Sequence, residues 1–352
     1  ELRKRISEHS NRWVIKIGSR VIVRRDGRPD LPRLPPICDQ VAELHRAGKQ
    51  VILVSSGAIG AGMEALGIRK RPSNLPDLQM AAAVGQSRLM VQHDRLFARK
   101  NIRTGQVLLT HDGLKHRERH LNARNTILNC LRHGIVPIVN ENDAVAVEDI
   151  RFGDNDILAA LTALLVQADC LLMLTTVDGF REKTSGSRTR RVPYLEGITQ
   201  QVLAATGGPG SPLSTGGMAS KLEAATMAVD NDIPVLILSG RTKDSIRRAT
   251  TGRNTGTLIV RPKKSRKTLN GRKRWIAFFH RTEGTLEIDE GARRAVVQRG
   301  RSLLPIGIRK VQGDFAVGAM VNIRSNDSGL VARGLVEYSS EQIRNIMGRQ
   351  TS

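Results

Sequence analysis

The chain has 352 residues, a formal net charge of +23 and 3% aromatic residues. That length suits two domains, each with a core of ordinary size. No run of about twenty apolar residues exists, so no membrane-spanning helix is expected. The scarcity of aromatics argues against a stacking platform for single-stranded nucleic acid.

In chain order, the opening ELRKRISEHSNR is charged and has no apolar stretch of the kind a secretory signal carries. Residues 13–19 then read as a first strand ending in a glycine turn. Lys16 lies inside that apolar strand, which is costly unless its ammonium meets an anion at the strand end. Phosphate is the natural candidate, and a lysine that snorkels to water is the bland alternative. Residues 32–47 read as a helix, with Leu34, Ile37, Val41 and Leu44 on one face and Gly48 as the stop. A second buried strand, 51–54, runs into SSGAIGAG at 55–62. The small residues of that segment predict a loop whose backbone can approach a ligand and whose N–H groups can bind an anion. It lacks the Gly-Lys-Ser/Thr ending of a Walker loop, and it is not GxGxxG.

Long helices are predicted at 78–97 and 116–133, separated by a short strand at 107–109. His116 and His120 share a face of the second helix, but no third ligand is placed, so a solvated basic face is expected there rather than a metal site. Ile135, Val136, Ile138 and Val139 form a short apolar, β-branched run, which suits a buried strand. The polar cluster Asn140-Glu141-Asn142-Asp143 follows at once. A second polar cluster, Gly153-Asp154-Asn155-Asp156, stands directly before an apolar helical run from Ile157 to Val166, and Asp154, Asn155 or Asp156 can cap that helix. A loop dense in carboxylates and amides therefore hangs between the C-terminal end of a strand and the start of a helix. In open α/β sheets ligands bind there.

Residues 170–174 form another buried strand, with a turn at 175–180. The basic segment 181–191 is predicted to be a mobile loop. Residues 214–221, STGGMASK, open a helix; backbone donors, the helix dipole and the Lys221 ammonium converge there as at a phosphate site. Residues 233–238 are expected to close the sheet. Alternating strands and helices predict an α/β domain with a mostly parallel sheet between helix layers. Composition changes at RPKKSRKTLNGRKR, 261–274, which is basic without an acid. The tail then shows short strands at 275–278, 284–288, 303–308, 319–323 and 330–336, a small β-rich domain. The boundaries drawn are a domain at 10–260, a basic linker at 261–272 and a tail domain at 273–352. Cys38, Cys130 and Cys170 are isolated beside apolar residues, and buried free thiols in a reducing cytoplasm are expected.

Taken in order, VIKIGS, SSGAIGAG, AAAVGQSRLM, NENDAV, FGDND and STGGMASKLEAA resemble the glutamate 5-kinase family. The tail, from KRWIAFF through DEGARRAVVQRGRSLLPIGI, resembles the PUA domain attached to the bacterial enzymes. The resemblance implies an amino acid kinase fold and ATP-dependent phosphorylation of the γ-carboxylate of L-glutamate, the first step of proline synthesis. It also implies feedback inhibition by proline, a homodimer or homotetramer, and a cytoplasmic location. By the same resemblance Lys16 matches the ATP-phosphate lysine. Ser56, Asp143 and Asn155 match the glutamate-binding positions, and Asp156 matches an acid that organises the catalytic lysines Lys16 and Lys221. Thr175 and Thr176 match the nucleotide-contacting pair. Thr215, Gly216, Gly217, Met218, Ala219, Ser220 and Lys221 match the loop at the nucleotide. Mg²⁺ is expected with ATP, and no side chain is assigned to a metal.

A carboxylate nucleophile is already ionised at pH 7, so this chemistry needs no general base. The barrier is the approach of an anion to a polyanion, which Lys16, Lys221 and Mg²⁺ can offset. The chain departs from the family pattern at Arg20, Thr176, Arg181 and Ser214, all on the nucleotide side. The competing readings are another amino acid kinase, a degenerate regulatory homologue, and an RNA-binding protein acting through the basic linker and tail.

Overall fold

The computed structural model describes residues 1–23, 30–146, 155–184, 189–205, 217–262, 282–325 and 329–349. The chain divides into two compact units, Glu1–Thr268 and Leu269–Ser352.

In the first unit the strands are β1 (Arg12–Ile17), β2 (Gln50–Val54), β3 (Thr104–Leu109), β4 (Val136–Glu141), β5 (Cys170–Thr175), β6 (Arg181–Lys183), β7 (Thr189–Arg191), β8 (Tyr194–Glu196), β9 (Val235–Ser239) and β10 (Thr257–Val260). Eight of them form one sheet in the order β3-β4-β2-β1-β5-β9-β10-β8. From β3 to β9 every neighbouring pair is parallel. The helices are α1 (Leu2–His9), α2 (Ser19–Ile22), α3 (Leu34–Arg46), α4 (Ala58–Ala65), α5 (Leu75–Ala98), α6 (His111–Lys115), α7 (Arg117–Arg132), α8 (Asp156–Val166), α9 (Gln200–Ala204), α10 (Met218–Val229) and α11 (Ser245–Thr250).

The alternation of β1 sets the two faces. Trp13, Ile15 and Ile17 pack into one core with Leu34, Ile37 and Val41 of α3 and with Ile246 and Ala249 of α11. Each of the Ile, Leu and Val side chains among them, taken out of water, stabilises the fold by about 1.5–3 kcal/mol. Val14 and Lys16, one residue out of phase, point to the opposite face. That face is covered by α8, which is buried along nearly its whole length and packs on α10. Lys16 sits in register between Val54 of β2 and Met173 of β5. The chain leaves β1 toward β2 on one side, and returns from β4 to β5 on the other. The C-terminal ends of β1, β2, β4 and β5 therefore surround the point where the strand order reverses.

Several expectations need correction. Residues 58–62 of the segment predicted as a loop belong to α4. Gly57 holds the left-handed turn before it, at φ +99°. Gly62 and Gly85 let α4 and α5 touch backbone to backbone: a Cβ on Gly62 would stand 1.7 Å from the Ala81 carbonyl oxygen, and one on Gly85 1.8 Å from that of Ala58. The helix predicted at 116–133 is borne out as α7, with His116 at its N-cap and His133 at its C-cap, whereas the short α6 before it was not foreseen. Within 181–191, predicted to be a mobile loop, β6 and β7 pair as an antiparallel hairpin. The sheet does not close at β9, because β10 pairs antiparallel with it and β8 lies beyond. The charged opening forms α1, fixed by Arg3 donating to the carbonyls of Thr255 and Gly256. Cys38 and Cys170 are buried free thiols, with burial pushing Cys38 up to about 12, whereas Cys130 is only half-buried.

In the second unit β11 (Thr282–Ile288), β12 (Ile308–Gln312), β13 (Met320–Ser325) and β14 (Gly329–Leu335) form a sheet in the order β12-β11-β13-β14. Its core holds Leu286, Ile308, Phe315, Val321 and Ile343. The strand expected at 303–308 begins only at Ile308, after a 3-10 turn at Pro305–Gly307. The strand expected at 275–278 lies outside the described residues. Two helices were not foreseen. α12 (Glu290–Arg299) starts where the Asp289 side chain accepts from the Ala292 amide, and it stops at Gly300. α13 (Ser340–Ile346) has a capping box between Ser339 and Gln342.

Candidate active site

Three elements deliver three charges to one point. β1 supplies Lys16, the first residue of α8 is Asp156, and α10 carries Lys221 one turn from its start. Lys16 Nζ lies 2.6 Å from Asp156 Oδ1, and Lys221 Nζ lies 2.8 Å from Asp156 Oδ2. Ser220 Oγ donates to the same Oδ2 at 3.1 Å. Lys16 and Asp156 are fully buried, and Lys221 is 6% exposed. Two ammonium groups thus share one carboxylate in a place where burying charge is costly unless it is paired. Buried ammonium groups at the ends of a strand and a helix are suited to meeting the oxygens of an anion.

Beside it runs a chain of amides. Asn155 occupies the N-cap position of α8, but its side chain makes no capping bond. Instead Asn155 Nδ2 donates to the main-chain oxygen of Ser55 and to Asn140 Oδ1, both at 2.6 Å. Asn140 Nδ2 in turn donates to Gln86 Oε1 at 2.6 Å. The capping role read from the sequence is thus corrected at Asn155 and Asp156, whose side chains serve the site; Asp154 lies outside the described residues.

Ser55 and Ser56 stand at the end of β2. Ser55 Oγ lies 3.0 Å from Nε2 of His93, a fully buried residue of α5. Burial lowers the His93 pKa to about 4, so the ring is neutral at pH 7. The Ser56 hydroxyl is buried and has no hydrogen-bond partner among the described residues. A buried polar group without a partner is uncommon and needs a reason, and a bound ligand is one. Asp143 lies half-buried in the turn after β4.

On the other side of β1, the Gly18 amide donates to the Leu174 carbonyl, joining the first strand's turn to the end of β5. Thr175 is buried there and Thr176 half-buried. Gly217 is the N-cap of α10, followed by Met218, Ala219, Ser220 and Lys221. Thr215 and Gly216 lie outside the described residues. Arg181 grips the Asp178 carboxylate with Nη1 at 2.8 and 2.9 Å and reaches the Thr189 carbonyl, so it ties the turn after β5 to the β6–β7 hairpin. No three His, Cys, Asp or Glu side chains converge on a metal position among the described residues.

The structure thus brings Lys16, Asp156 and Lys221 together, and sets Asn155 and Ser56 next to them. Sequence reading did not single out Gln86 or His93. Gln86 lay in the AAAVGQ motif without a role, and nothing in the sequence marks His93 as reaching Ser55.

The family model described as the amino acid kinase family matches residues 11–239, and the one for the PUA domain matches residues 284–352. The chain belongs to the amino acid kinase family. Its relatives place it more narrowly, among the glutamate 5-kinases. The glutamate 5-kinase of Geobacter sulfurreducens is 44% identical over 352 residues, covering 99% of this chain and 94% of that protein. That of Moorella thermoacetica is 42% identical over 344 residues, covering 97% and 90%. The solved UMP kinase of Bacillus anthracis superposes with a TM-score of 0.50 at 17% identity, covering 71% of this chain and 96% of that one, a likeness of fold alone.

Proposed function

We propose that the protein transfers the γ-phosphoryl group of ATP to the γ-carboxylate of L-glutamate, giving L-glutamyl 5-phosphate, the first step of proline synthesis from glutamate. The observation that carries the reading is the buried Lys16–Asp156–Lys221 cluster at the sheet's switch point. Its two ammonium groups suit the transferring phosphoryl group, whose equatorial oxygens carry negative charge in the transition state. Asp156 holds both ammonium groups in place before the substrates arrive, so little reorganisation is needed during transfer. The Gly217 turn and Thr175 with Thr176 flank the cluster on the nucleotide side. Ser56, Asn155 and Asp143 flank it on the acceptor side. Ser56 can donate its hydroxyl to a carboxylate, and Asp143 can pair with an ammonium.

Mg²⁺, when bound with ATP, would supply further charge neutralisation at the phosphates. Asp156 is already held by two lysines, so phosphate oxygens suit the cation better than this carboxylate. Feedback inhibition by proline, a homodimeric or homotetrameric assembly and a cytoplasmic location belong to the same reading. They rest on the resemblance to glutamate 5-kinases.

The test is ADP release from Mg-ATP with L-glutamate, with the acyl phosphate trapped by hydroxylamine. Hydroxamate that depends on glutamate, that proline suppresses and that Lys221→Ala does not form is the expected result. Glutamate binding without turnover would point to a degenerate kinase. A second reading is favoured by the PUA match beside the basic segment 261–274: the tail binds RNA as well. RNA affinity that falls steeply with salt and survives in Lys221→Ala would support it.

A further inference from the structure

The main-chain oxygen of Ser55 can only accept a hydrogen bond, and Asn155 stands 2.6 Å from it. Asn155 must therefore present its NH2 group there. The same NH2 group faces Asn140, which must answer with Oδ1. The Asn140 NH2 group then faces Gln86, which must answer with Oε1. One carbonyl thus orders three side-chain amides, and each is locked by the next. Both side-chain bonds of Asn155 use Nδ2. Its Oδ1 remains as the amide atom offered to a ligand among the described residues, and that atom only accepts.

We infer that Gln86 is a positioning residue for substrate selection: through Asn140 it holds Asn155 with Oδ1 turned to the acceptor, where it receives the α-ammonium group of the amino acid. This rests on the glutamate reading. The chemistry selects an acceptor bearing a charged amine on its α-carbon, at the far end of the molecule from the γ-carboxylate to be phosphorylated. It rejects the same diacid without the amine, because that compound leaves Oδ1 without a donor. A site built to bond one polar group discriminates strongly against an analogue that lacks it. Without the Gln86 acceptor, Asn140 is no longer committed to showing Oδ1 to Asn155. Asn140 can then turn over and set its NH2 group against that of Asn155, which leaves the Ser55 carbonyl as the one remaining acceptor that holds Asn155 among the described residues and loosens the aim of its Oδ1.

The experiment compares wild type, Gln86→Met and Gln86→Glu on L-glutamate and on glutarate, its deamino analogue. Gln86→Met is expected to lower kcat/KM for glutamate about tenfold and to change that for glutarate less than twofold, with the KM for ATP unchanged. Gln86→Glu still accepts from Asn140 and is expected to keep the wild-type preference. Equal losses on both acceptors in Gln86→Met, or equal damage in both variants, would overturn the inference, because a purely structural residue behaves so. Should Gln86→Met fail to fold by thermal melting, Gln86→Ala carries the same expectation. If wild type prefers another amino-diacid, the glutamate reading fails. The positioning role then stands only if Gln86→Met loses preference for that acceptor over its own deamino analogue. A wild type that uses no acceptor overturns both.

Discussion

Lys16 and Lys221 hold opposite oxygens of a single carboxylate, at 2.6 Å and 2.8 Å, although they come from the first strand and from a helix far along the chain. Removing that carboxylate leaves two buried ammonium groups facing each other. Asp156→Asn is expected to destabilise the free protein by about 3 kcal/mol and to lower kcat by roughly a hundredfold. The charge at the site rises by one, so an anion should repair more of the damage. The rise in melting temperature on adding ATP is therefore expected to be larger for Asp156→Asn than for wild type. Thermal melts with and without ATP measure this; an equal or smaller rise contradicts the charge argument.

The contact between α4 and α5 yields a second expectation. A methyl group on Gly62 or Gly85 would overlap backbone atoms of the facing helix, which cannot move aside as a side chain can. Gly62→Ala must push the helices apart, and the start of α4 adjoins Ser55, Ser56 and Gly57. A loss of about 3 kcal/mol is expected, at the upper end for overpacking, together with a raised KM for glutamate and little change in the KM for ATP. Urea denaturation and steady-state kinetics check the two halves separately.

These glycines also mark where the sequence could be read and where it could not. The apolar strands and the polar residues at their ends stood out, because a lysine in VIKIGS and acids behind IVPIV conflict with burial unless a site accounts for them. AIGAG read as a loop because its small residues suit a backbone that approaches a ligand, whereas a helical glycine costs about 1 kcal/mol relative to alanine. Only the position of α5 shows that close packing offsets this cost. The α12 helix had its signals in view: Asp289 as cap, Glu290 in the first turn and Gly300 as stop. Gly291 and the adjacent Val296 and Val297 concealed it among strands. The polarity of Gln86, Asn140 and Asn155 was not legible at all, since it follows from one carbonyl 2.6 Å away and not from residue type.

His93 predicts a pH dependence of stability. Its ordinary pKa of 6.5 falls to about 4 in the folded protein, because burial penalises the imidazolium. Below pH 6.5 the unfolded chain binds a proton there that the folded chain does not. Stability from this group is therefore fully present above pH 6.5 and is lost as pH falls toward 4. The loss approaches about 3 kcal/mol for a shift of this size. His93→Gln removes the titration and is expected to flatten the stability profile between pH 6.5 and 4. Denaturation midpoints across that range, wild type against variant, measure the slope; parallel profiles would assign the acid sensitivity elsewhere.

The Ser56 hydroxyl sets stability against function. It is buried and makes no hydrogen bond among the described residues, so the free protein bears its desolvation without return, an effect of about 1–3 kcal/mol. Ser56→Ala removes the hydroxyl and leaves only a small void. The variant is expected to be more stable than wild type by about 1 kcal/mol in the absence of ligand. The substrate then loses a donor to its carboxylate, and the KM for glutamate is expected to rise about tenfold, equivalent to about 1.4 kcal/mol. Melting without ligand should thus move up, while the stabilisation conferred by saturating glutamate shrinks. If the variant melts lower than wild type without ligand, the hydroxyl has a partner in the free protein, and the substrate is not what satisfies it.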